Sequence, residues 1–410
     1  MKIIILSDSP MICTGFSNQS RLLAKYLTDK GHEIHYFANA YQGQTLKNVE
    51  LEDGTKFEYK IYGQNSPYFQ AEMGEMIKRI NADIFMILLD TFMLYPWFLN
   101  VDTSPAKTIF WYPSDGGAGL PVNCENILRK IDRPVAMSMF GKKQVEEYHK
   151  IKADYIPHGT EPERFFKMEE SQRFVLRAKW GLNDKLVVGV VARNQPRKML
   201  DRTIKAFKLV AQEVPNAILL LHLDPRDNAA GWDMINLIRR YNLENRVRFT
   251  GMTAFHGFDW NQMNEVYNLM DVFFLSTSGE GFGIPLIEAM SCEVPIVATD
   301  YTTTREIIVR NNCGYAAKLV GTGDISLSTL EGDIPVYDDA VINGTLTGSW
   351  QVERGIMDVE DAAEKIIELL NDKELRELMG SNGRKAVMEQ YVFNKHVAPK
   401  FEKIMEELYK

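Results

Sequence analysis

The chain has no paired cysteines, no long apolar run and no surplus of positive charge, and each absence removes a class of function. Its four cysteines, Cys13, Cys124, Cys292 and Cys313, are scattered over 410 residues. None shows the close spacing of a zinc site or a redox dithiol, so reduced, structural thiols in a reducing compartment are expected. The opening Met-Lys-Ile-Ile-Ile-Leu-Ser meets Asp8 too soon for a signal peptide. The apolar stretch from Ile84 to Leu89 is far too short for a spanning helix. A cytoplasmic protein that touches membranes at most peripherally is the expectation. Against 55 acidic residues stand 47 basic ones, a net charge of −8. Up to Leu182 the balance is even, 22 against 22, so the whole deficit falls in the second half, 25 basic against 33 acidic. Neither half has the basic excess of a phosphate-backbone binder, and nucleic acid is not an expected partner. No Asp-x-Asp cluster stands at a pocket loop, so neither a metal nor another cofactor is expected. Gly116-Gly-Ala-Gly119 lacks the third glycine of a dinucleotide fingerprint, with Val122 in its place. His32 and His35 flank a strand, where packing explains them.

What is present is alternation. The length exceeds what one hydrophobic core usually serves, which predicts two domains. Short β-branched runs alternate with helical patterns, the mark of a parallel sheet covered by helices. Strands are expected at Lys2–Ser7, Glu33–Phe37, Asp83–Leu89, Lys107–Tyr112 and Val135–Met139, with a helix over Ser17–Lys30. A second series starts at Leu186–Ala192 and continues through a helix at Asp201–Glu213 and strands at Ala217–Leu223, Val247–Thr250, Val272–Ser276 and Ile296–Thr299. Two doubly wound α/β domains of this kind bind ligand in the cleft that their strand C-terminal ends face. The mixed, charged stretch 165–184 reads as linker and entry helix.

The densest information lies in Ser278-Gly-Glu280-Gly-Phe-Gly-Ile-Pro-Leu-Ile-Glu288-Ala-Met, directly after an apolar strand. Gly281 and Gly283 permit a tight turn. Ile284 precedes proline and is biased away from helical dihedrals, while Pro285 suits a first helical position, so the helix should start there. The first amides of that helix, those of Leu286 and Ile287 among them, would point at a phosphate or sugar hydroxyl beyond the strand end. Glu280 sits in the turn and Glu288 one turn into the helix, leaning back toward the same pocket. The bland alternative is a surface loop whose acids merely favour a helix N-terminus.

This motif, with its glutamates eight positions apart, resembles the signature of retaining glycosyltransferases of the glycogen synthase and sucrose synthase superfamily, notably glycosyltransferase family 4. The resemblance implies the GT-B fold, two Rossmann-like domains facing a cleft, with a C-terminal helix crossing back to the first domain. It sets an acceptor-side domain at 1–165 plus 394–410 and a nucleotide-sugar-binding domain at 166–393. Residues 320–356 carry six glycines and no clean periodicity, and read as an insertion, a hairpin being one form, of unknown role. The implied activity is metal-independent transfer of a hexose, with retention, from a nucleotide diphosphate sugar to a hydroxyl acceptor that is a glycan, a lipid or a small molecule. A sugar phosphorylase, a nucleotide-sugar epimerase and a non-catalytic nucleotide-sugar binder are the alternatives.

The resemblance also implies residue roles. Glu280 lies beside the donor sugar and Glu288 at the ribose, with Gly281, Phe282, Gly283, Ile284 and Leu286 forming the donor turn. Arg193 and Lys198, five apart, match the family's diphosphate clamp, whose cations stabilise the charge that grows on the leaving group; Arg197 is a third candidate. Departures matter too. Relatives usually place two glycines after the first strand, and here only Gly15 remains, with Thr14 replacing the other. Ser114 and Asp115 stand where many relatives carry a histidine, so Asp115 either takes over a hydrogen-bonding role or caps the turn. Thr302 and Thr303 replace two glycines ahead of Glu306 and bring hydroxyls and bulk to the donor pocket. His158, in Pro157-His-Gly-Thr-Glu161, reads as a hinge residue.

Overall fold

In the computed structural model the described residues are 1–50, 54–121, 123–227, 231–252, 257–325 and 352–410. The first sheet has the strand order β3-β4-β2-β1-β5-β6-β7-β8. Its strands are β1 (Lys2–Asp8), β2 (Glu33–Asn39), β3 (Leu46–Glu50), β4 (Lys56–Gly63), β5 (Ile84–Leu88), β6 (Lys107–Tyr112), β7 (Arg133–Ala136) and β8 (Asp154–Tyr155). All neighbours pair in parallel except β3 with β4. The central strands are apolar because helices cover both faces: Ile3 to Leu6 and Ile84 to Leu88 are buried throughout.

The second sheet runs β11-β10-β9-β12-β13-β14, all parallel. It comprises β9 (Leu186–Val191), β10 (Ala217–His222), β11 (Val247–Phe249), β12 (Val272–Leu275), β13 (Ile296–Thr299) and β14 (Gly314–Ala317). This two-domain mixed architecture is the expected one. Of the expected insertion, 326–351 lie outside the described residues, but its flanks do form a hairpin: β15 (Leu319–Ile325) pairs antiparallel with β16 (Val352–Met357).

The C-terminal helix Ala398–Tyr409 does cross back to the first domain. Phe401 packs on Trp111 of β6 at 4.7 Å between ring centroids. Tyr26 donates to the Glu402 carboxylate at 2.7 Å, and Arg133 pairs with Glu407 at 3.2 Å. The two crossings between domains run side by side, since the Thr160 N–H donates to the Tyr391 carbonyl at 2.8 Å and the Phe393 N–H to the Thr160 carbonyl at 3.0 Å. His158 lies here. Its ring is buried against Trp111 and Phe282, and burial pulls its imidazole down to about 3, so it stays neutral. One continuous apolar cluster joins Trp111, Phe282, Tyr391 and Phe401 across the two domains. Among the described residues no helix is long and apolar enough to cross a membrane.

Candidate active site

The end of β12 fixes the loop beside it. Ser276 Oγ donates to the Lys198 and Met199 carbonyls at 3.0 and 2.9 Å, and the Ser278 N–H and hydroxyl both reach the Arg197 carbonyl, at 2.7 and 3.0 Å. These bonds stitch the short Pro196–Lys198 turn to the donor loop. They aim two cations at one carboxylate: Lys198 Nζ lies 2.5 Å from Glu280 Oε1, and Arg197 Nη1 lies 3.2 Å from Glu280 Oε2. Arg197 also donates to the Gly279 carbonyl at 3.1 Å. Burial pushes the Glu280 carboxyl up, but Lys198 and Arg197 outweigh it and hold it at about 2. Burial, with the adjacent Arg197 charge, pulls Lys198 down to about 8 against the opposing attraction of Glu280. Two cations converging on one buried carboxylate make a site suited to a charged ligand.

The turn that follows departs from expectation in detail. Gly283 has φ 94° and precedes the helix Ile284–Ser291, so Ile284 and not Pro285 is its first residue. The glycine takes up the unusual dihedrals, which frees Ile284 to be helical despite the proline after it. The Leu286 N–H donates to the Gly283 carbonyl at 3.0 Å and is therefore not among the free donors expected there. Phe282 is buried against His158 and Tyr391. Glu288 is buried and accepts from the Tyr267 hydroxyl at 2.6 Å, while Glu280 has a separate set of partners. Burial raises the Glu288 carboxyl to about 7, with the Tyr267 bond opposing the rise.

The threonines in place of glycines hold the donor turn from behind. Thr302 Oγ1 accepts from the Glu280 N–H at 2.9 Å, and the Thr303 hydroxyl donates to the Phe282 carbonyl at 2.8 Å. Thr302 does this at φ 51°, ψ −121°, a conformation that suits glycine and costs a β-branched residue about 1–3 kcal/mol. Glu306 reaches across the cleft, accepting from the Met139 and Phe140 N–H groups at 3.1 and 2.9 Å at the start of the helix Met139–His149.

Arg193 is placed differently. Its side chain is 67% exposed and pairs with Asp227 at 3.1 Å, so Arg197, not Arg193, shares Glu280 with Lys198. On the first domain, Thr14 caps the helix Gly15–Asp29 by accepting from the Ser17 N–H at 3.1 Å and donates to Asp8 at 2.7 Å. That helix starts at Gly15, two residues before the expected Ser17. A Cβ on Gly15 would stand 3.1 Å from Ile284 Cδ1, which shows how closely the two loops approach. Asp115 faces the second domain, with Oδ2 4.0 Å from Arg197 Nε and 3.2 Å from Arg354 Nη1.

Two residues escaped the sequence reading. Asp90 follows β5, and burial, reinforced by the charge of Asp115, lifts its carboxyl to about 7. Its signal was an acid directly after a wholly apolar parallel strand, at the end that faces the cleft. Arg354 comes from β16, and no local pattern marks it. Among the described residues no group of three or more acids, histidines or cysteines is arranged to hold a metal ion.

Known proteins share this architecture. The family model described as glycosyl transferases group 1 matches residues 172–319. The chain is 23% identical over 400 residues to N-acetyl-alpha-D-glucosaminyl L-malate synthase of Bacillus anthracis, covering 92% of this chain and 90% of that one. Among solved structures it superposes on sucrose-phosphate synthase from Thermosynechococcus elongatus with a TM-score of 0.74 at 16% identity, covering 100% of this chain and 99% of that one. It superposes on the Anabaena protein HepE in complex with UDP-glucose with a TM-score of 0.67 at 16% identity, covering 99% and 98%. The fold is thus the GT-B glycosyltransferase fold.

Proposed function

We propose that this chain, a glycosyltransferase of the GT-B fold whose residues 172–319 match the group 1 family model, carries out metal-independent, retaining transfer of a hexose from a nucleotide diphosphate sugar to a hydroxyl acceptor. The observation that carries this reading is the convergence of Arg197 and Lys198 on Glu280 at 3.2 and 2.5 Å, in the turn that opens the helix Ile284–Ser291. Two preorganised cations on a buried carboxylate suit the charge that develops on a departing diphosphate. Arg193, exposed on the same loop and paired with Asp227 at 3.1 Å, can swing toward the phosphates as a third. With this cationic set, a divalent ion is not needed to neutralise the leaving group.

Glu280 keeps both cations aimed before donor arrives and lies at the sugar. Glu288 and the turn residues Gly281, Gly283 and Ile284 line the nucleotide side, with Phe282 and Leu286 packed behind them and Thr302 and Thr303 supporting the turn. Gly15 and Asp115 face the donor from the first domain, where Asp90 is electrostatically coupled to Asp115. Retention follows if acceptor attacks from the face the diphosphate leaves, with the diphosphate taking the proton. The cleft closes to exclude water.

A thermal-shift screen of UDP-, GDP- and ADP-sugars, followed by transfer assays in chelator with NMR of the product anomer, tests the proposal. One donor class should raise the melting temperature, because it binds only the folded state. Transfer should persist in chelator and give the donor's own anomeric configuration. An inverted product refutes retention, and activity abolished by chelator and restored by a divalent ion refutes metal independence.

A further inference from the structure

The hairpin β15–β16 stands outside both main sheets, yet β16 is wedged between the two domains. The Gly117 N–H donates to the Glu353 carbonyl at 2.9 Å, and the Gly355 N–H donates to the Ser278 carbonyl at 3.0 Å, so one strand bonds the first-domain loop and the donor turn together. Tyr301 joins them, accepting from the Gly117 N–H at 3.0 Å and donating to the Glu353 carbonyl at 2.8 Å. This seat explains why three glycines stand where they do. A Cβ on Gly116 would fall on the Val352 side chain, one on Gly117 would stand 2.6 Å from Glu353 Oε1, and one on Gly279 would fall on the Asp115 carbonyl.

From this strand Arg354 enters the cleft, 2% exposed. Nη1 donates to the Asp115 carbonyl at 2.7 Å and lies 3.2 Å from Oδ2, while Nη2 lies 3.3 Å from Oδ1. Asp115 therefore has two cations beside it, Arg354 close and bidentate, Arg197 at 4.0 Å. The choice matters for chemistry. A carboxylate that closed on Arg197 would draw it from Glu280 and offset a charge meant for the donor phosphate, whereas a forked guanidinium on both oxygens and the loop carbonyl fixes Asp115 in place.

We propose that Arg354 is a positioning residue for the transfer step: carried into the cleft by the hairpin, it fixes Asp115 and the Gly116–Gly117 loop against the donor turn and keeps Asp115 from closing further on Arg197. The inference rests on the glycosyltransfer reading. That reading sets the donor mainly against the second domain, so losing Arg354 should impair turnover more than donor binding.

The test is kinetics and donor affinity on the full chain for R354A, R354K, D115A, the double variant R354A/D115A, and G116A. R354A should lower kcat about 10- to 100-fold, the cost of misplacing groups around the reacting centre. Donor Kd should stay within about threefold of wild type, the mark of an interaction felt mainly after binding. R354K should recover only part, and R354A/D115A should be no worse than D115A alone, because the two residues act as one unit. G116A, which displaces Val352 without changing charge, should reproduce the loss, and it carries the test if R354A fails to fold. A folded R354A with wild-type kcat, additive losses in the double variant, or a donor Kd that weakens in step with kcat would overturn the inference. Wild-type protein that binds donor yet transfers to no acceptor would overturn the functional reading along with it.

Discussion

The two walls of the cleft are built on the same plan and specified very differently. On the second domain, Lys198, Arg197 and Glu280 form a buried charged set whose every member is held by named bonds from β12, the Pro196–Lys198 turn and Thr302. On the first, Asp8, Asp90 and Asp115 stand at the ends of β1, β5 and β6, and what holds Asp115 comes from the other domain. The Glu280 wall is preorganised by its own domain, and the Asp115 wall is completed only where the domains meet.

Breaking the donor wall should have the largest effect. Glu280→Gln keeps the shape but releases Lys198 and Arg197, and kcat should fall by about 10²–10³ as preorganised electrostatics are lost. A fall of less than fivefold in a transfer assay would mean that the pair is not aimed by Glu280. The donor wall should also show in the pH profile. Lys198, at about 8 in the free protein, loses its charge as pH rises through that value, so kcat/KM for donor should decline tenfold per unit above it. Lys198→Arg should move that limb upward, and a limb that stays put in this variant assigns it elsewhere.

The next effect separates strain from bonding behind the donor turn. Thr302→Ala keeps the left-handed backbone and loses the bond to the Glu280 N–H, costing about 1–2 kcal/mol. Thr302→Gly loses the same bond but relieves roughly 1 kcal/mol or more of backbone strain. Denaturant unfolding should therefore rank wild type above Gly and Gly above Ala, and Ala equal to or above Gly would show that the position is unstrained. The smallest effect concerns how the walls meet. Glu306→Ala removes the acceptor of the Met139 and Phe140 amides, a helix N-terminal contact worth about 1 kcal/mol. Hydrogen exchange at those two amides should speed up by several-fold with donor affinity unchanged; unchanged exchange would mean that this contact does not hold the walls together.

The same asymmetry governs what the sequence reveals. The buried parallel strands are legible because both faces are covered: the observed Lys107–Tyr112 and Ile296–Thr299 coincide with the apolar runs. The antiparallel β3–β4 edge was missed, since Leu46–Glu50 is polar and largely exposed. In the donor turn the residue types were readable, but the local dihedrals were not: the positive φ of Gly283 let Ile284 join the helix, and Thr302 holds a glycine-like conformation against its own preference. Arg354 was invisible for a different reason. It meets Asp115 across 239 residues, and nothing within its own glycine-rich segment says which loop it will reach.

If Lys198 and its neighbours stand at the diphosphate of a nucleotide diphosphate donor, removing the Lys198 charge must stop the transfer of sugar. The most direct test is sugar transfer by wild-type protein and by Lys198→Ala, each saturated with the donor found by thermal shift and each shown to be folded. Transfer by wild type and a loss of at least about 10³-fold in the variant is the predicted result; full transfer by Lys198→Ala would contradict it.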